Sequence, residues 1–353
     1  MLKKLSKQKI SDIITYGIVL VAFIVMQILI NAGQISSLFE GLMVPLCTYI
    51  ILAISLNLVV GVLGELSLGH AGFMCVGAFT SAFFSKCMQD TITNSIVRFL
   101  IALLIGIVVA AIFGLLIGIP VLRLNGDYLA IVTLAFGEII KNIVNVLFIG
   151  KDSKGFHFST KDVMALNMEP DGKVIVNGPQ GITGAPKDAT FFIGFILVLI
   201  TLFIVLNLIH SRDGRAIMAI RDNRIAAESI GINITKYKLM TFTISAAMAG
   251  AAGVLYGHNL SNLTANTNNF GYNMSINILV FVVLGGIGNI RGSIISAVVL
   301  TLLPELLRGL SDYRMLIYAI VLIVMMLFNW APKAIEWREK YLSFKKNKKG
   351  AVK

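Results

Sequence analysis

Residues 212–238 read RDGRAIMAIRDNRIAAESIGINITKYK, the most charged stretch in the interior of the chain, with apolar runs on either side. At about 100° per residue, a helix over residues 215–230 places small and apolar side chains on one face and charges on the other. The apolar face comprises Ala216, Ala219, Ile220, Ala226, Ala227 and Ile230, and the charged face comprises Arg221, Arg224 and Glu228. Gly231 is suited to end this helix. The pattern fits a helix that docks on a partner protein, and it equally fits a helix that lies at the lipid headgroups.

The composition of the whole chain indicates a membrane protein. Hydrophobic residues make up 57% of the 353 residues, charged residues make up 14%, and the mean hydropathy is +0.85. Soluble domains carry about 25% charged residues, and apolar runs of about 20 residues predict transmembrane helices. Such runs lie at residues 13–30, 42–60, 66–84, 96–119, 128–149, 190–209, 239–256, 275–290, 293–307 and 315–330. We therefore predict an all-α polytopic membrane protein with about ten membrane segments, of which the third, fifth, eighth and ninth are candidates for re-entrant segments.

The distribution of charge predicts how these segments are oriented. If both termini are cytoplasmic and the chain crosses ten times, the whole net charge of +12 falls on the cytoplasmic side, as the positive-inside rule requires. The predicted layout is a basic cytoplasmic arm at residues 1–12, a transmembrane domain at 13–330 and a basic cytoplasmic tail at 331–353. Within the domain, we expect residues 150–189 to form an extracytoplasmic loop and residues 210–238 to form a cytoplasmic loop.

Patterns for catalysis or for cofactor binding are absent from the sequence. No Gly-x4-Gly-Lys-Ser/Thr loop is present, so this chain has no P-loop for ATP. The four histidines and three cysteines are scattered without the spacing of metal ligands. We expect no catalytic residue, no metal site and no cofactor bound by this chain. Membrane lipid is a sufficient partner for the basic surplus, and no nucleic-acid partner is expected.

A glycine-rich stretch, LNLVVGVLGELSLGHAGFMCVGAFT, occupies residues 56–80. Ser67, Gly69 and His70 are predicted to lie there at membrane depth. Glycines at such a place allow an unwound turn that exposes backbone groups to a cavity, and they also allow tight helix packing. The first alternative places these three residues on a translocation path, whereas the second gives them a packing role only.

A second polar set lies in the fifth predicted segment. Glu138, Lys141, Asn142 and Asn145 are spaced so that they share one face of a helix, and Glu138 can pair with Lys141 across one turn. Charged groups at membrane depth usually face the protein interior or a water-filled path. The set therefore indicates either a translocation route or a self-satisfied pair at a subunit interface.

Four blocks of the sequence resemble the permease subunits of branched-chain amino acid ABC importers, LivM type. The charged stretch matches at Gly214-Arg215, Ala219-Ile220-Arg221, Ala226-Ala227-Glu228 and Gly231-Ile232-Asn233. The other matches are Leu56-Asn57-Leu58 with Gly61 and residues 64–71, Gly126-Asp127-Tyr128 with Ala130 and residues 134–138, and the glycine turn Gly285, Gly286, Gly288, Gly292 with Ser293. Ile225 stands where the general Glu-Ala-Ala docking signature of ABC permeases has glutamate. Together the blocks cover roughly residues 42–330.

The resemblance implies a permease subunit of a bacterial ABC importer in the plasma (inner) membrane. Its implied partners are a homologous LivH-type permease, two ATP-binding subunits of LivG and LivF type that hold ATP-Mg, and an extracytoplasmic substrate-binding protein. The implied ATPase-docking residues are Arg215, Ala219, Arg221, Ala226, Ala227, Glu228 and Gly231. Candidates for the translocation path are Ser67, Gly69, His70, Glu138, Lys141 and Asn142. The expected substrates are leucine, isoleucine and valine; the alternatives are a permease for urea or short amides and a secondary transporter or channel that works alone.

Overall fold

The structure, a computed structural model, describes residues 7–33, 36–124, 126–170, 172–310 and 313–330. Helices dominate these ranges, so the predicted class of polytopic helical membrane protein is confirmed. The first six residues of the predicted basic arm and the whole predicted tail at residues 331–353 lie outside the described residues.

The α-helices account for every predicted membrane segment. In chain order they are α1 (Lys7–Asn31), α2 (Ser37–Asn57), α3 (His70–Cys87), α4 (Ser95–Val121), α5 (Asp127–Val146), α6 (Phe191–His210), α7 (Arg212–Asp222), α8 (Arg224–Ser229), α9 (Ile234–Gly257), α10 (Thr267–Phe270), α11 (Tyr272–Gly285), α12 (Ile290–Leu306) and α13 (Arg314–Trp330). All of them except α7, α8 and α10 coincide with a predicted segment. Seven helical stretches within the described residues are long and apolar enough to cross a membrane. Since α3, α11 and α13 are not among the seven, the number of ten crossings stays a prediction.

Between α2 and α3 the chain leaves the helical conformation inside an apolar region. After α2 a π-helix covers Leu58–Leu63 and ends at Gly64, whose φ of 81° is left-handed and favours glycine. Residues 64–69, called here the interrupted segment, are not helical. Within the predicted third membrane segment, residues 66–84, the helix therefore begins only at His70, because the glycines interrupt the helical pattern before it.

The polar loop, residues 150–189, contains β structure that was not predicted, so the fold is not wholly α. The strands are β1 (Phe148–Lys151), β2 (Phe156–Ser159), β3 (Lys173–Asn177), β4 (Ile182–Thr183) and β5 (Asn262–Leu263). The first three form an antiparallel sheet in the order β2-β1-β3, and β4 pairs with β5. The predicted fifth membrane segment ran past the end of α5 into β1. The sequence of β2, Phe-His-Phe-Ser, alternates apolar and polar residues with the period of two that marks a strand, and this was the signal available in the sequence.

The single helix predicted over residues 215–230 is in fact two helices. Asn223 separates α7 from α8 with φ −156° and ψ 105°, and its side chain accepts a hydrogen bond from the backbone N–H of Ala226 at 3.0 Å. Asparagine favours this N-cap conformation over a place in a helix interior. The break rotates α8 relative to the periodic pattern on which the prediction rested.

Close helix packing at glycines forms the centre of the bundle. A Cβ on Gly77 of α3 would lie 2.2 Å from the carbonyl oxygen of Gly250 on α9, and a Cβ on Gly250 would lie 2.4 Å from Ala110 Cβ on α4. Helices in membranes associate through such small residues because lipid offers no hydrophobic driving force between them. α1 lies at the edge, where Phe23 stacks on Phe195 of α6 with ring centroids 3.8 Å apart.

Candidate functional site

The charged loop, residues 210–238, and the polar loop lie at opposite ends of the bundle. α6 begins at Phe191, just after the polar loop, and its 20 residues end at His210, where the charged loop begins. At about 1.5 Å per residue, this helix separates the two loops by about 30 Å.

A small core of its own holds the charged loop together. Ile220 of α7, Ala227 of α8 and Ile234 of α9 are buried against one another, separately from the main core. Ala227 is only 2% exposed. Its small side chain therefore allows α8 to pack on α7, and the half-buried Ala219 packs against the same cluster.

The exposed side of the charged loop differs from the predicted faces. Of the candidate docking residues, Arg215, Arg221, Ala226, Glu228 and Gly231 are exposed. Ile225 and Ile230 are also exposed, at 81% and 75%. The predicted single apolar face is wrong because the break at Asn223 turns Ala226 and Ile230 away from the buried Ile220 and Ala227.

Two side chains of the charged loop contact the interrupted segment and the π-helix before it. Arg221 Nη1 donates a hydrogen bond to the Gly61 carbonyl oxygen at 2.9 Å, and its guanidinium also contacts Asp222 at 2.9 Å. Lys238 Nζ forms an ion pair with Glu65. The resemblance singled out Arg221, but neither of these partners could be recognised in the sequence, since each lies about 160 positions or more away along the chain.

The interrupted segment also contacts α5. The backbone N–H of Leu68 donates to Thr133 Oγ1 at 3.0 Å, and a Cβ on Gly69 would lie 2.6 Å from the Thr133 carbonyl oxygen. The backbone of Ala71 donates to Ser275 Oγ at 3.3 Å. Thr133 and Ser275 are thus positioning residues that the sequence reading missed, because isolated hydroxyl side chains in apolar helices carry no pattern.

His70 links three helices through a chain of hydrogen bonds. Its Nε2 lies 2.8 Å from Ser245 Oγ of α9, and that hydroxyl donates to the Ser55 carbonyl oxygen of α2 at 2.6 Å. Because the serine proton is used toward Ser55, the ring donates through Nε2 and keeps Nδ1 as an acceptor. His70 Nδ1 and Ser67 Oγ are buried atoms without a hydrogen-bond partner among the described residues.

The polar face of α5 contacts α10 and the first residue of α11. Lys141 Nζ lies 2.5 Å from Glu138 Oε2, and it also donates to Thr267 Oγ1 at 3.3 Å. The backbone N–H of Tyr272 donates to Glu138 Oε1 at 2.7 Å. The ion pair is as expected, and Lys141 is buried, whereas Asn142 is exposed on this chain. Asn145 donates to the Ala265 carbonyl oxygen at 2.8 Å, so three members of the predicted face bind the protein itself.

The predicted path residues fall into two groups rather than one. Ser67, Gly69 and His70 lie together at the start of α3, while Glu138, Lys141 and Asn142 lie further along α5, toward the polar loop. Thr133, earlier on α5, is the contact that joins the first group to this helix. No group of three or more His, Cys, Asp or Glu side chains in the described part of the chain is placed to hold a metal ion.

An interrupted helix with buried polar groups, a charged loop bonded to it, and a set of apolar spanning helices define a polytopic membrane transport subunit. The chain belongs to the family of permease components of branched-chain amino acid transport systems, whose characteristic sequence pattern matches residues 37–328. It is therefore a multi-pass protein of the plasma (inner) membrane and a permease of a multi-subunit ABC system.

Curated relatives agree with this assignment. The chain is 35% identical over 296 residues to the high-affinity branched-chain amino acid permease LivM of Salmonella typhimurium, a match that covers 81% of this chain and 67% of the relative. The LivH permease of Escherichia coli is 25% identical over 79% of this chain and 89% of its own length. The fructose import permease FruG of Bifidobacterium longum is 25% identical over 94% of both chains. No solved structure is detectably similar to this chain.

Proposed function

We propose that this chain carries leucine, isoleucine and valine across the plasma membrane as the LivM-type subunit of an ATP-driven importer. The observation that supports this substrate class is the 35% identity to LivM permeases over 81% of the chain. A LivH-type permease completes the membrane channel, and an extracytoplasmic binding protein delivers the amino acid. ATP-Mg is bound and hydrolysed by two partner subunits of LivG and LivF type, because this chain has no P-loop.

All ten predicted segments lie in the membrane in this proposal, with both termini cytoplasmic. The positive-inside rule supports it, since the charged loop holds six of the basic residues: Arg212, Arg215, Arg221, Arg224, Lys236 and Lys238. The polar loop then faces outward, toward the binding protein. The shorter helix α3 follows the interrupted segment, and the shorter helix α11 precedes the glycine turn. Both pack against longer neighbouring helices.

The ATP-binding subunit docks on the exposed side of α8 in this proposal. That side presents Ala226, Glu228 and Gly231, with Arg215 of α7 nearby and the exposed Ile225 and Ile230 as apolar anchors. Ala219 and Ala227 support the surface from beneath, and Arg221 ties it to the membrane part. In this proposal, the path residues Ser67, Gly69 and His70 lie on the membrane side of the docking surface. The path residues Glu138, Lys141 and Asn142 lie closer to the extracytoplasmic end of the bundle.

Neighbouring alanines offer a matched test of docking. Ala226→Arg adds a long charged side chain on the exposed side, so the chain should insert normally but co-purify with much less ATP-binding subunit. Ala227→Arg places the same side chain in the internal core and should also destabilise the loop itself. If Ala226→Arg retains its ATP-binding subunit and transports normally, the docking surface is wrong.

Uptake measurements test the substrate class. A strain that lacks this gene, with and without a plasmid copy, is supplied with labelled leucine, isoleucine, valine, urea or fructose. We expect the plasmid to restore uptake of the three amino acids only. Fructose is included because the FruG relative matches nearly the whole chain, and restored uptake of fructose or urea alone would contradict the proposal.

A further inference from the structure

The helices α7 and α8 of the charged loop are packed together with the first turn of α9 as one unit. Their shared cluster of Ile220, Ala227 and Ile234 is 4%, 2% and 8% exposed. Separating α8 from α9 would expose this apolar core to water, which opposes independent movement. A displacement of the exposed side of α8 therefore displaces the start of α9, which carries Lys238.

This unit is attached to the interrupted helix at two points. Arg221 Nη1 donates to the Gly61 carbonyl oxygen at 2.9 Å, before the interruption. Lys238 pairs with Glu65 just inside it, and their side chains are only 4% and 14% exposed. Gly64 lies between the two points, and a Cβ there would come within 2.5 Å of Arg221 Cγ. The charged loop therefore holds the chain on both sides of Gly64.

The interrupted segment depends on such contacts for its position. Residues 64–69 lack helical structure, and backbone hydrogen bonds to the adjoining helical turns hold their two ends, from the N–H groups of Gly64 and Glu65 to the Val59 carbonyl oxygen and from α3 to the Gly69 carbonyl oxygen. Between these ends, contacts with other helices add to them: Leu68 is bonded to Thr133, and the Glu65 side chain is bonded to Lys238. A shift of Lys238 therefore changes the position of the whole segment.

Two buried polar atoms here have no partner in the described residues: Ser67 Oγ within the segment, and Nδ1 of His70, the first residue of α3 after it. A buried polar atom without a hydrogen bond raises the free energy of the state that contains it. If the segment shifts so that these atoms meet a partner or a polar ligand, the free energy of the shifted state is lowered by the hydrogen bonds gained. The segment is thus suited to adopt more than one arrangement.

We propose that Arg221 and Lys238 are positioning residues that transmit the movement of the charged loop, through Gly61 and Glu65, to Ser67 and His70. The inference rests on the proposed function, because the movement is taken to come from the ATP-binding subunits. Separating the Lys238–Glu65 pair would leave two charges poorly solvated, so Glu65 follows Lys238. The second attachment at Gly61 makes the interrupted segment shift as a unit.

Coupling measurements on the complete reconstituted importer test this proposal. The variant Glu65→Gln/Lys238→Met removes both charges and leaves neither unpaired, and Arg221→Ala removes the other attachment. Together they should lower the amount of substrate transported per ATP hydrolysed by about tenfold, a common size for coupling between sites. Lys236→Met, an exposed neighbour on the same turn of α9, is the control and should leave this ratio unchanged. Unchanged transport per ATP in the combined variant overturns the inference.

A labelling experiment covers the case in which the combined variant does not assemble. With Cys47, Cys75 and Cys87 replaced by alanine, a Ser67→Cys chain in an otherwise native importer is treated with a membrane-permeant thiol reagent. The labelling rate should differ by about fivefold or more between the nucleotide-free and ATP-bound complexes. Equal rates in the two states overturn the inference.

Failure of the proposed function would look different. If the unmodified importer neither hydrolyses ATP nor moves an amino acid, the proposed function fails. If both the unmodified importer and the combined variant couple ATP hydrolysis to amino acid transport normally, only the proposed role of Arg221 and Lys238 is wrong.

Discussion

The guanidinium of Arg98 and the carboxylate of Asp188 form a bidentate ion pair, with Nε–Oδ2 and Nη2–Oδ1 distances of 2.8 and 2.6 Å. Their side chains are 7% and 4% exposed. Arg98 lies in the first turn of α4, and Asp188 lies at the end of the polar loop. Arg98 Nη1 also donates to the Ile92 carbonyl oxygen at 2.9 Å, so the pair ties the polar loop to the bundle.

Removing one partner of this pair should be costly. Arg98→Met leaves the Asp188 carboxylate buried without its counter-charge, so we expect a loss of about 3–5 kcal/mol in the free energy of unfolding. Arg98→Met/Asp188→Asn should lose clearly less. Lys187→Met, an exposed neighbour, is the control. Thermal unfolding of the purified complex measures the differences, and equal midpoints for Arg98→Met and the control would contradict the role of the pair.

The pair also shows where the sequence stops being informative. Hydropathy located the helices, because a run of apolar residues determines whether a segment is stable in lipid. The partner of Arg98 lies 90 positions away and belongs to a polar loop of mixed charge, so no local pattern identifies it. The same holds for Lys238 and Glu65, 173 positions apart.

Local periodicity failed at the charged loop for a different reason. Steps of about 100° per residue assume one unbroken helix, and Asn223 breaks it. The Asn signal was present, since this residue favours helix starts. The prediction that Ala226 and Ala227 share one apolar face is wrong because of this single residue, whereas the predicted pairing of Glu138 with Lys141 is confirmed, because α5 is continuous.

Close packing at Gly77 gives a second prediction. Gly77→Ala places a methyl group 2.2 Å from the Gly250 carbonyl oxygen, so the backbones of α3 and α9 must separate. We expect a loss of about 1–3 kcal/mol of stability. Gly17→Ala on α1 meets nothing within 4 Å and should be neutral or slightly stabilising. Thermal unfolding of both variants is the measurement, and an unaffected Gly77→Ala chain would refute the close approach.

Accessibility to thiol reagents tests the proposed topology. Met164 in the polar loop is 89% exposed, and Lys236 in the charged loop is exposed and lies outside the proposed docking surface, so both are suited to cysteine labelling. In whole cells, an impermeant reagent should label Met164→Cys at once. It should label Lys236→Cys only after the membrane is permeabilised. The reverse pattern would invert the proposed orientation.

Asp152 in the polar loop supports a prediction on pH. Its carboxylate accepts hydrogen bonds from the backbone N–H groups of Lys154, Gly155 and Glu169, and from His157 Nε2 at 2.8 Å. Enclosure of the side chain raises the pKa of Asp152. The hydrogen bonds together lower this pKa by more than enclosure raises it, so the pKa lies below its ordinary value.

The sign of the pH effect follows from this lowered pKa. Asp152 stabilises the folded loop at pH values above the ordinary carboxyl pKa, and the contribution is lost as the pH falls through the lower, folded-state pKa. Asp152→Asn should therefore loosen the loop at pH 7, and the difference from wild type should vanish in strong acid. The fluorescence of a dye on Met164→Cys, followed from neutral to acid pH, measures this. Exposed Lys161→Gln serves as the control, and a difference that persists in strong acid would contradict the prediction.

The pair of Glu138 and Lys141 gives the last prediction. Glu138→Gln keeps the shape of the side chain but leaves Lys141, whose side chain is 9% exposed, without its counter-charge. We expect poorer assembly and reduced transport, because an unpaired buried charge is costly. Glu138→Gln/Lys141→Met should recover assembly, since no isolated charge remains, and size-exclusion profiles of the purified complex report it.

Transport by this double variant decides what the pair does. Glu138 also accepts a hydrogen bond from the backbone N–H of Tyr272 at the start of α11, and Lys141 donates to Thr267 of α10, so the two residues fasten α10 and the start of α11 to α5. If the double variant assembles and transports fully, the pair is structural only, and its placement on the substrate path is wrong. If it assembles but transports measurably less, the polar face serves the path or the conformational change. A raised KM at constant kcat then indicates contact with the amino acid, whereas a lowered kcat at constant KM indicates a role in the movement of α11 against α5.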